Sequence, residues 1–423
     1  MAEALRVLVL SCSSRTNGEL TMVLDWAARL RLPVGLHVAC GPGSVALAAR
    51  SGARVHTYPQ VGAGLARRRI LETVARVRPD VVIIADLALV HLSTELGPGL
   101  LPLLPALAAS VPTVALDLYD WDRNYPEMDT WGTRLHAAFP PVPSAVGRLL
   151  PCPVHAPGPS TPGRGRYAVM ADRGPVSAAA RQDARDRLAL GDAPVLLWTT
   201  SPWQHPVDSA MRMAPHQHVV PQSATGARVL THLPAYLLRL LDRAARRVPG
   251  LTLLHVGPQR FPVPADVTTL VYRHLASLPP PDFEAALSAA DVFFSVNCPA
   301  SSAIRATTFR LPVLTAMQSR TVTAPPSDPD LARYSDDTLG GFPFAVWPVG
   351  LHHTVHALLR DNPFRDMQQF TDILDPEALV DSVVTLLRPD AADSLRHAQH
   401  VAWRRITESA GDPDQALAAA RMS

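Results

Sequence analysis

The chain has 423 residues, a formal net charge of +2 and 18% charged residues. That length suits roughly two or three domains of ~100 to 200 residues, each able to bury its own core, and the balanced charge lacks the basic footprint of a nucleic-acid binder. Every lysine-or-arginine position is an arginine, which removes P-loop, Schiff-base and kinase-type lysine chemistry.

The opening MAEALRVLVL holds one short apolar run with no small-residue cleavage site after it, so it predicts a first strand rather than a signal peptide. Strand-sized apolar runs follow at 6–10, 34–39, 54–58, 81–85 and 113–116, with helix-compatible segments between them. This alternation predicts a doubly wound, mostly parallel sheet. The richest apolar stretch is interrupted at Pro98, Pro102 and Pro105, so no membrane insertion is expected. Asp86 follows the fourth run and Asp117, Asp120 and Asp122 follow the fifth, at carboxyl ends of strands where open α/β sheets bind ligands. Tyr119, Trp121 and Tyr125 in the same loop offer an aromatic platform for a ring-bearing small molecule, or simply pack the loop down.

From 140 to 166 proline, glycine and serine dominate, and PGPSTPGRGR reads as a linker. The alternation then resumes, with strand candidates at 194–199, 252–256, 269–272, 292–295 and 313–314. This divides the chain into a first lobe (1–155), a linker (156–166), a second lobe (167–388) and a terminal helical segment (389–423). DPEALVDSVVTLL, with its capping aspartate and first-turn proline, predicts a helix from Asp375 to Leu387. Residues 319–362 read as a cleft loop or a surface insertion.

The stretch LSAADVFFSVNCPASSAIRATTFRLPVL carries the most information. A buried-type strand (292–296) runs into the small and hydroxylic residues 297–302, which start a helix and leave its first N–H groups available to an anion. An ordinary strand, turn and helix with an empty N-terminus stays open on these residues alone.

Ala290-Asp291, Ser295, Ser301-Ser302, Arg305-Ala306 and Leu311-Pro312 resemble, in order and spacing, the donor half of the GT-B glycosyltransferases. The resemblance extends to the two-lobe layout and implies two Rossmann-like doubly wound domains facing a central cleft. It also implies a final helix, around 394–407, that returns to the first lobe. Arg305 replaces the usual ribose-binding glutamate and Arg310 the usual glycine. A guanidinium cannot accept a ribose hydroxyl but can hold a phosphate bidentately.

Gly18-Glu19-Leu20-Thr21 is similar to the family's opening Gly-His motif, with glutamate in place of the histidine. Glu19 is then the expected general base, with Asp117 or Asp120 as substitute, although a glutamate there also simply favours its helix dipole. The resemblance places Ser13, Asn17, Asp86, Tyr119 and Trp121 on the acceptor side. It places Thr200, Ser201, His205, His274, Asn297, Ser301, Ser302, Arg305 and Gln318 on the donor side.

The implied activity is transfer of a sugar from a nucleoside diphosphate sugar, such as a UDP or dTDP sugar, to a small acceptor in specialised, antibiotic-type metabolism. No cofactor or metal is required for it. Its alternatives are epimerisation or pseudo-glycosyl coupling on a sugar nucleotide, and a non-catalytic partner protein of the same fold. The histidines at 352, 353 and 356, and at 216 and 218, lack a carboxylate or cysteine third ligand and are not assigned a metal. The separated Cys12, Cys40, Cys152 and Cys298 suit buried thiols of a reducing cytoplasm. The implied partners are the acceptor and the sugar nucleotide, in a protein compatible with a homodimer.

Overall fold

A computed structural model describes the chain except residues 1–3, 13–16, 60–62, 86, 88–102, 122–128, 131–132, 135–141, 205–222, 319–322, 340–357, 361 and 423. Among the described residues the strands form a seven-stranded and a six-stranded sheet, with a two-stranded pair of β6 (Asp129–Thr130) and β7 (Thr133–Arg134). The first sheet contains β1 (Leu5–Leu10), β2 (Val34–Cys40), β3 (Arg54–Thr57), β4 (Val81–Ile84), β5 (Thr113–Leu116), β8 (Val146–Cys152) and β9 (Arg164–Ala168), in the order β3-β2-β1-β4-β5-β8-β9. The second contains β10 (Val195–Thr199), β11 (Thr252–Val256), β12 (Val271–Leu275), β13 (Val292–Ser295), β14 (Val313–Met317) and β15 (Gln369–Asp372), in the order β12-β11-β10-β13-β14-β15. All pairings in both sheets are parallel, as the near-continuous apolar runs of β4, β5 and β13 require of strands covered on two faces. Each sheet reverses its strand order beside its first strand, at β1/β4 and at β10/β13. Such switch points leave a crevice at the carboxyl ends of the strands.

Three departures from the sequence reading have identifiable causes. The proline- and glycine-rich stretch 140–166, read as linker over 156–166, carries β8 and the start of β9. Its glycines are packing residues: a Cβ on Gly147 would overlap the Ala420 carbonyl, and one on Gly165 the Ala416 carbonyl, of the helix Pro413–Ala420. The strand expected at 269–272 starts at Val271 because the buried Asp242 carboxylate captures the N–H groups of Thr268, Thr269 and Leu270, at 3.1, 2.6 and 2.9 Å. Strand β15, QFTD, lies at a sheet edge and shows no apolar run for a sequence reading to find.

The chain end ties the lobes together. In the helix Pro389–Ser409, Trp403 Nε1 donates to Thr307 Oγ1 (3.0 Å), and the Gln399 amide donates to the carbonyls of Leu311 and Met367 (2.9 and 3.0 Å). The following helix, Pro413–Ala420, docks on β8 and β9, and its Ala419 carbonyl accepts from Gly163 N–H (2.9 Å). One buried cluster therefore runs from Leu20 and Val23 through Ile304 and Met317 to Trp403 and Leu417. No helix among the described residues is long and apolar enough to cross a membrane.

Replacing Gly165 by valine forces the terminal helix off the sheet. The expected outcome is a loss of roughly 1–3 kcal/mol or more, read as a lower denaturation midpoint in urea.

Candidate functional site

The site is built where two helix N-termini meet across the lobes. On the second-lobe side β13 ends at Ser295, whose hydroxyl donates to the Asn297 carbonyl (2.7 Å) and accepts from Asn297 N–H (3.1 Å). The helix Ser301–Thr308 then starts from Ala300, which has no side-chain acceptor, and its first internal bond is Ile304 N–H to the Ala300 carbonyl (3.0 Å). The N–H groups of Ser301, Ser302 and Ala303 thus precede the helical ladder at the positive end of the dipole. Ser302 Oγ lies 2.9 Å from Thr199 Oγ1 at the end of β10.

On the first-lobe side the helix Gly18–Ala28 begins from Asn17, again without a side-chain cap. The Asn17 amide oxygen accepts instead from Ser44 Oγ (2.9 Å). Gly18 is close enough to the facing helix that a Cβ there would sit 2.7 Å from Ser301 Oγ. Glu19, half-buried, is therefore the second residue of a helix that abuts the start of the other. Two uncapped dipole ends converging on one point suit an anion.

Other expected site residues have structural duties. Asp117 is 1% exposed; its carboxylate accepts from Tyr119 N–H (3.2 Å) and Trp121 N–H (2.9 Å) and lies 3.8 Å from Arg148 Nε. A carboxylate so placed closes its own turn. Asp120, in a left-handed conformation (φ 49), is ion-paired with Arg164. Trp121 is in the core and the half-buried Tyr119 packs against it.

Arg305 was expected to hold phosphate, but its guanidinium donates to Glu284 Oε1 (3.1 Å), which also accepts from Arg173 (3.1 Å). Arg310 sits at φ 57, the conformation that explains glycine at this place in the family resemblance. Its strain is offset by a bidentate pair with Asp172 (2.7 and 2.7 Å) and by bonds to the carbonyls of Thr307 and Thr308 at the helix end. Asp291 of the expected Ala-Asp pair is gripped by Arg181 (2.5 Å), Arg185 (2.7 Å) and Val195 N–H (2.8 Å), which pins the start of β10.

Of the remaining donor-side expectations, Thr200 follows β10, and Ser201 N–H donates to Gln204 Oε1 (2.7 Å). His274 lies within β12 with Nε2 2.8 Å from the Gly257 carbonyl, and Gln318 is buried just past β14. Ser13, Asp86 and His205, with the histidines at 216, 218, 352, 353 and 356, lie outside the described residues. All four cysteines are free and buried. Among the described residues no group of three or more His, Cys, Asp or Glu side chains is arranged to hold a metal ion.

Sequence reading missed His155, His255 and Tyr272, because a lone histidine or tyrosine in an apolar run carries no local signal. His155 Nε2 lies 2.5 Å from the Asp117 carbonyl, and burial, opposed by the nearby Asp120 charge, lowers its pKa to about 4. The folded value is below the ~6.5 of an unfolded histidine, so between those values the unfolded chain takes up a proton that the folded chain refuses. Stability is full above that window and falls as pH drops through it. The expected outcome is a urea midpoint that declines from about pH 6.5 to 4, with the decline reduced in His155→Gln.

The profile of DUF6365, a family of unknown function, matches residues 36–421, and the chain belongs to that family. Comparison with curated protein sequences gave no match. Among solved structures, Spinosyn Rhamnosyltransferase SpnG is 16% identical with a TM-score of 0.52, over 97% of this chain and 98% of that one. A second SpnG structure, complexed with thymidine diphosphate, is 15% identical with a TM-score of 0.52, over 97% and 98%. Spinosyn Forosaminyltransferase SpnP is 14% identical with a TM-score of 0.51, over 98% and 97%. The shared feature is the GT-B fold: two parallel-sheet lobes with flanking helices.

Proposed function

We propose that this member of DUF6365 is a glycosyltransferase of GT-B fold that moves a sugar from a nucleoside diphosphate sugar to a small-molecule acceptor. The observation that carries the reading is the convergence of the helix starts Gly18 and Ser301, neither capped by a side chain. A diphosphate is acceptor-only and doubly charged, which is what such a pair of dipole ends, with the Ser301 and Ser302 hydroxyls, stabilises best. Thymidine diphosphate, bound by SpnG, is the first ligand to try.

In this reading the acceptor oxygen bonds to the anomeric carbon while the bond from that carbon to the diphosphate oxygen breaks, and its electron pair leaves on the diphosphate. Glu19 takes the acceptor's proton. The N–H groups of Ser301, Ser302 and Ala303 meet the charge that develops on the leaving group. None of these steps calls on a metal. The setting is the cytoplasm, consistent with four free thiols. A non-catalytic partner protein is the second reading, favoured by Arg305, which stands where the ribose-binding glutamate is expected and is bonded to Glu284.

Thermal shift and calorimetry against TDP, UDP, GDP and CDP separate the two. A base-selective rise in stability, about 2.7 kcal/mol at a ligand concentration 100 times Kd, supports the enzyme, and no response to any nucleotide supports the partner protein. With a donor in hand, Glu19→Gln is expected to lower kcat by roughly 10²- to 10⁴-fold while diphosphate affinity holds. An unchanged kcat removes Glu19 as the base.

A further inference from the structure

Between residues 29 and 80 the chain carries nine arginines against Glu72 and Asp80 alone, in a protein whose net charge is +2, so the rest of the chain is net acidic. Both carboxylates are already taken: Asp80 is bound to Arg6 (3.2 Å) and Glu72 to Arg69 (2.9 Å). Arg50, Arg54, Arg67, Arg68, Arg76 and Arg78 are exposed, and among the described residues none of them is ion-paired. In the lobe of the second sheet the pattern is the reverse, where Arg181, Arg185, Arg239, Arg243, Arg247 and Arg333 each meet a carboxylate. Like charges left side by side repel one another, and a partner of opposite charge relieves that repulsion.

The helix Ala63–Val77 builds this surface. Its Ala66, Ile70, Thr73 and Val77, spaced by three and four, are buried. The opposite stripe of Leu65, Arg68, Arg69, Glu72 and Arg76 faces solvent along roughly 17 Å of helix axis. Strand alternation puts Arg54 and His56 of the edge strand β3, His37 of β2 and Arg6 of β1 on the face that this helix covers, the face of Leu8, Leu10 and Ala39. There the rings of His37 and His56 stack (5.2 Å, 13°), with Nδ1 of the first 2.9 Å from Nε2 of the second. Burial lowers both imidazole pKa values. Arg54 and Arg6 lower that of His37 further, and His37, Arg76 and Arg54 that of His56. One positive field therefore spans the strand edge and the last turn of the helix.

Two members of the stripe say which anionic surface fits it. Leu65, 45% exposed, offers an apolar contact among the arginines. Glu72 sits in the middle of the stripe, where a uniformly negative phosphate or lipid surface would repel it. A folded protein intersperses its carboxylates with apolar and basic groups and accommodates both, and arginines around an apolar contact suit a protein interface.

We propose that the helix Ala63–Val77 and the edge strand β3 form a docking surface for an acidic protein, whose carboxylates pair with Arg54, Arg67, Arg68 and Arg76 and whose apolar side chain covers Leu65. The helix begins after the carboxyl end of β3, on the side where the crevice of the sheet opens, so a protein docked along it stands beside the cleft. The surface does not depend on the donor-site reading.

The test uses the full chain and, as probe, a fluorescent helical peptide in which glutamates at helical spacing surround leucine. A short DNA duplex and phosphatidylglycerol vesicles supply the competing chemistries. Anisotropy is expected to show peptide binding that weakens as salt rises. Arg68→Glu/Arg76→Glu is expected to bind the peptide roughly 10-fold or more weakly, and Arg54→Gln to weaken it in the same direction. Arg388→Glu/Arg405→Glu, the same charge change on exposed arginines near the chain end, is expected to bind as the unaltered protein does. Leu65→Ser is expected to weaken the peptide and leave DNA and vesicles unmoved. An unchanged urea midpoint shows that these exposed changes leave the fold intact. The proposal is overturned by no peptide binding at low salt, by an equal loss in Arg388→Glu/Arg405→Glu, or by DNA or vesicles binding more tightly than the peptide through the same arginines. Salt-sensitive self-association in sedimentation, abolished by Arg68→Glu/Arg76→Glu, also overturns it and gives the surface to a second copy of the chain.

Discussion

The contact on which the arrangement depends is the backbone-to-backbone docking of the helix Pro413–Ala420 on Gly147 and Gly165 of the first sheet. No side chain fits between them, so the helix lies as close as its carbonyls allow and closes the chain back onto the lobe where it began. The preceding helix is bonded through Trp403 and Gln399 to Thr307 and Leu311, at the far end of the helix Ser301–Thr308. That helix is thereby held by its C-terminus from the chain end, and its N-terminus is presented to Gly18. The convergence of two dipole ends is thus a product of long-range packing, and the candidate anion site inherits its geometry from Gly147 and Gly165, both far from Ser301 in sequence.

Arginine does much of the structural work in a chain without lysine. The planar, always-charged guanidinium can be buried only when its fork is satisfied, and removing a partner from such a pair costs far more than the pair itself contributes. Arg185 and Arg181 hold Asp291, Arg310 holds Asp172 and a helix end, and Arg305 holds Glu284. Asp291, Arg305 and Arg310 belong to a motif that reads as ligand-binding in one dimension. Among the described residues of the candidate site, the groups that face an anion are mainly backbone N–H groups at the start of the helix Ser301–Thr308.

The strands that were legible are those buried on both faces, where hydrophobic pattern and burial are the same information: β11 and β13 fall on the residues their apolar runs indicated. Those missed include the edge strands β9, with its two arginines, and β15, with its polar sequence, which form because a neighbour offers a ladder, and the buried β8, whose surroundings are rich in proline and glycine. The start of the helix at Ser301 was legible for the same local reason, since small residues after a buried strand leave few other conformations. The duties of Asp117, Asp120 and Arg305 were not, because a carboxylate or guanidinium has the same letter whether it faces a ligand or a countercharge distant in sequence.

The amino-acid sequence alone determined the alternation of strands and helices, the two-lobe layout and the place of the turn before Ser301, because each rests on periodicity and on steric limits within a few residues. The tertiary structure decided which charges are consumed in pairs, which helix ends face each other, and that His255, Tyr272 and Thr200 form one line of hydrogen bonds. Those outcomes depend on contacts between residues as far apart as Arg310 and Asp172 or Gly165 and Ala416. Only the folded chain brings such residues within the few ångströms over which hydrogen bonds and ion pairs act.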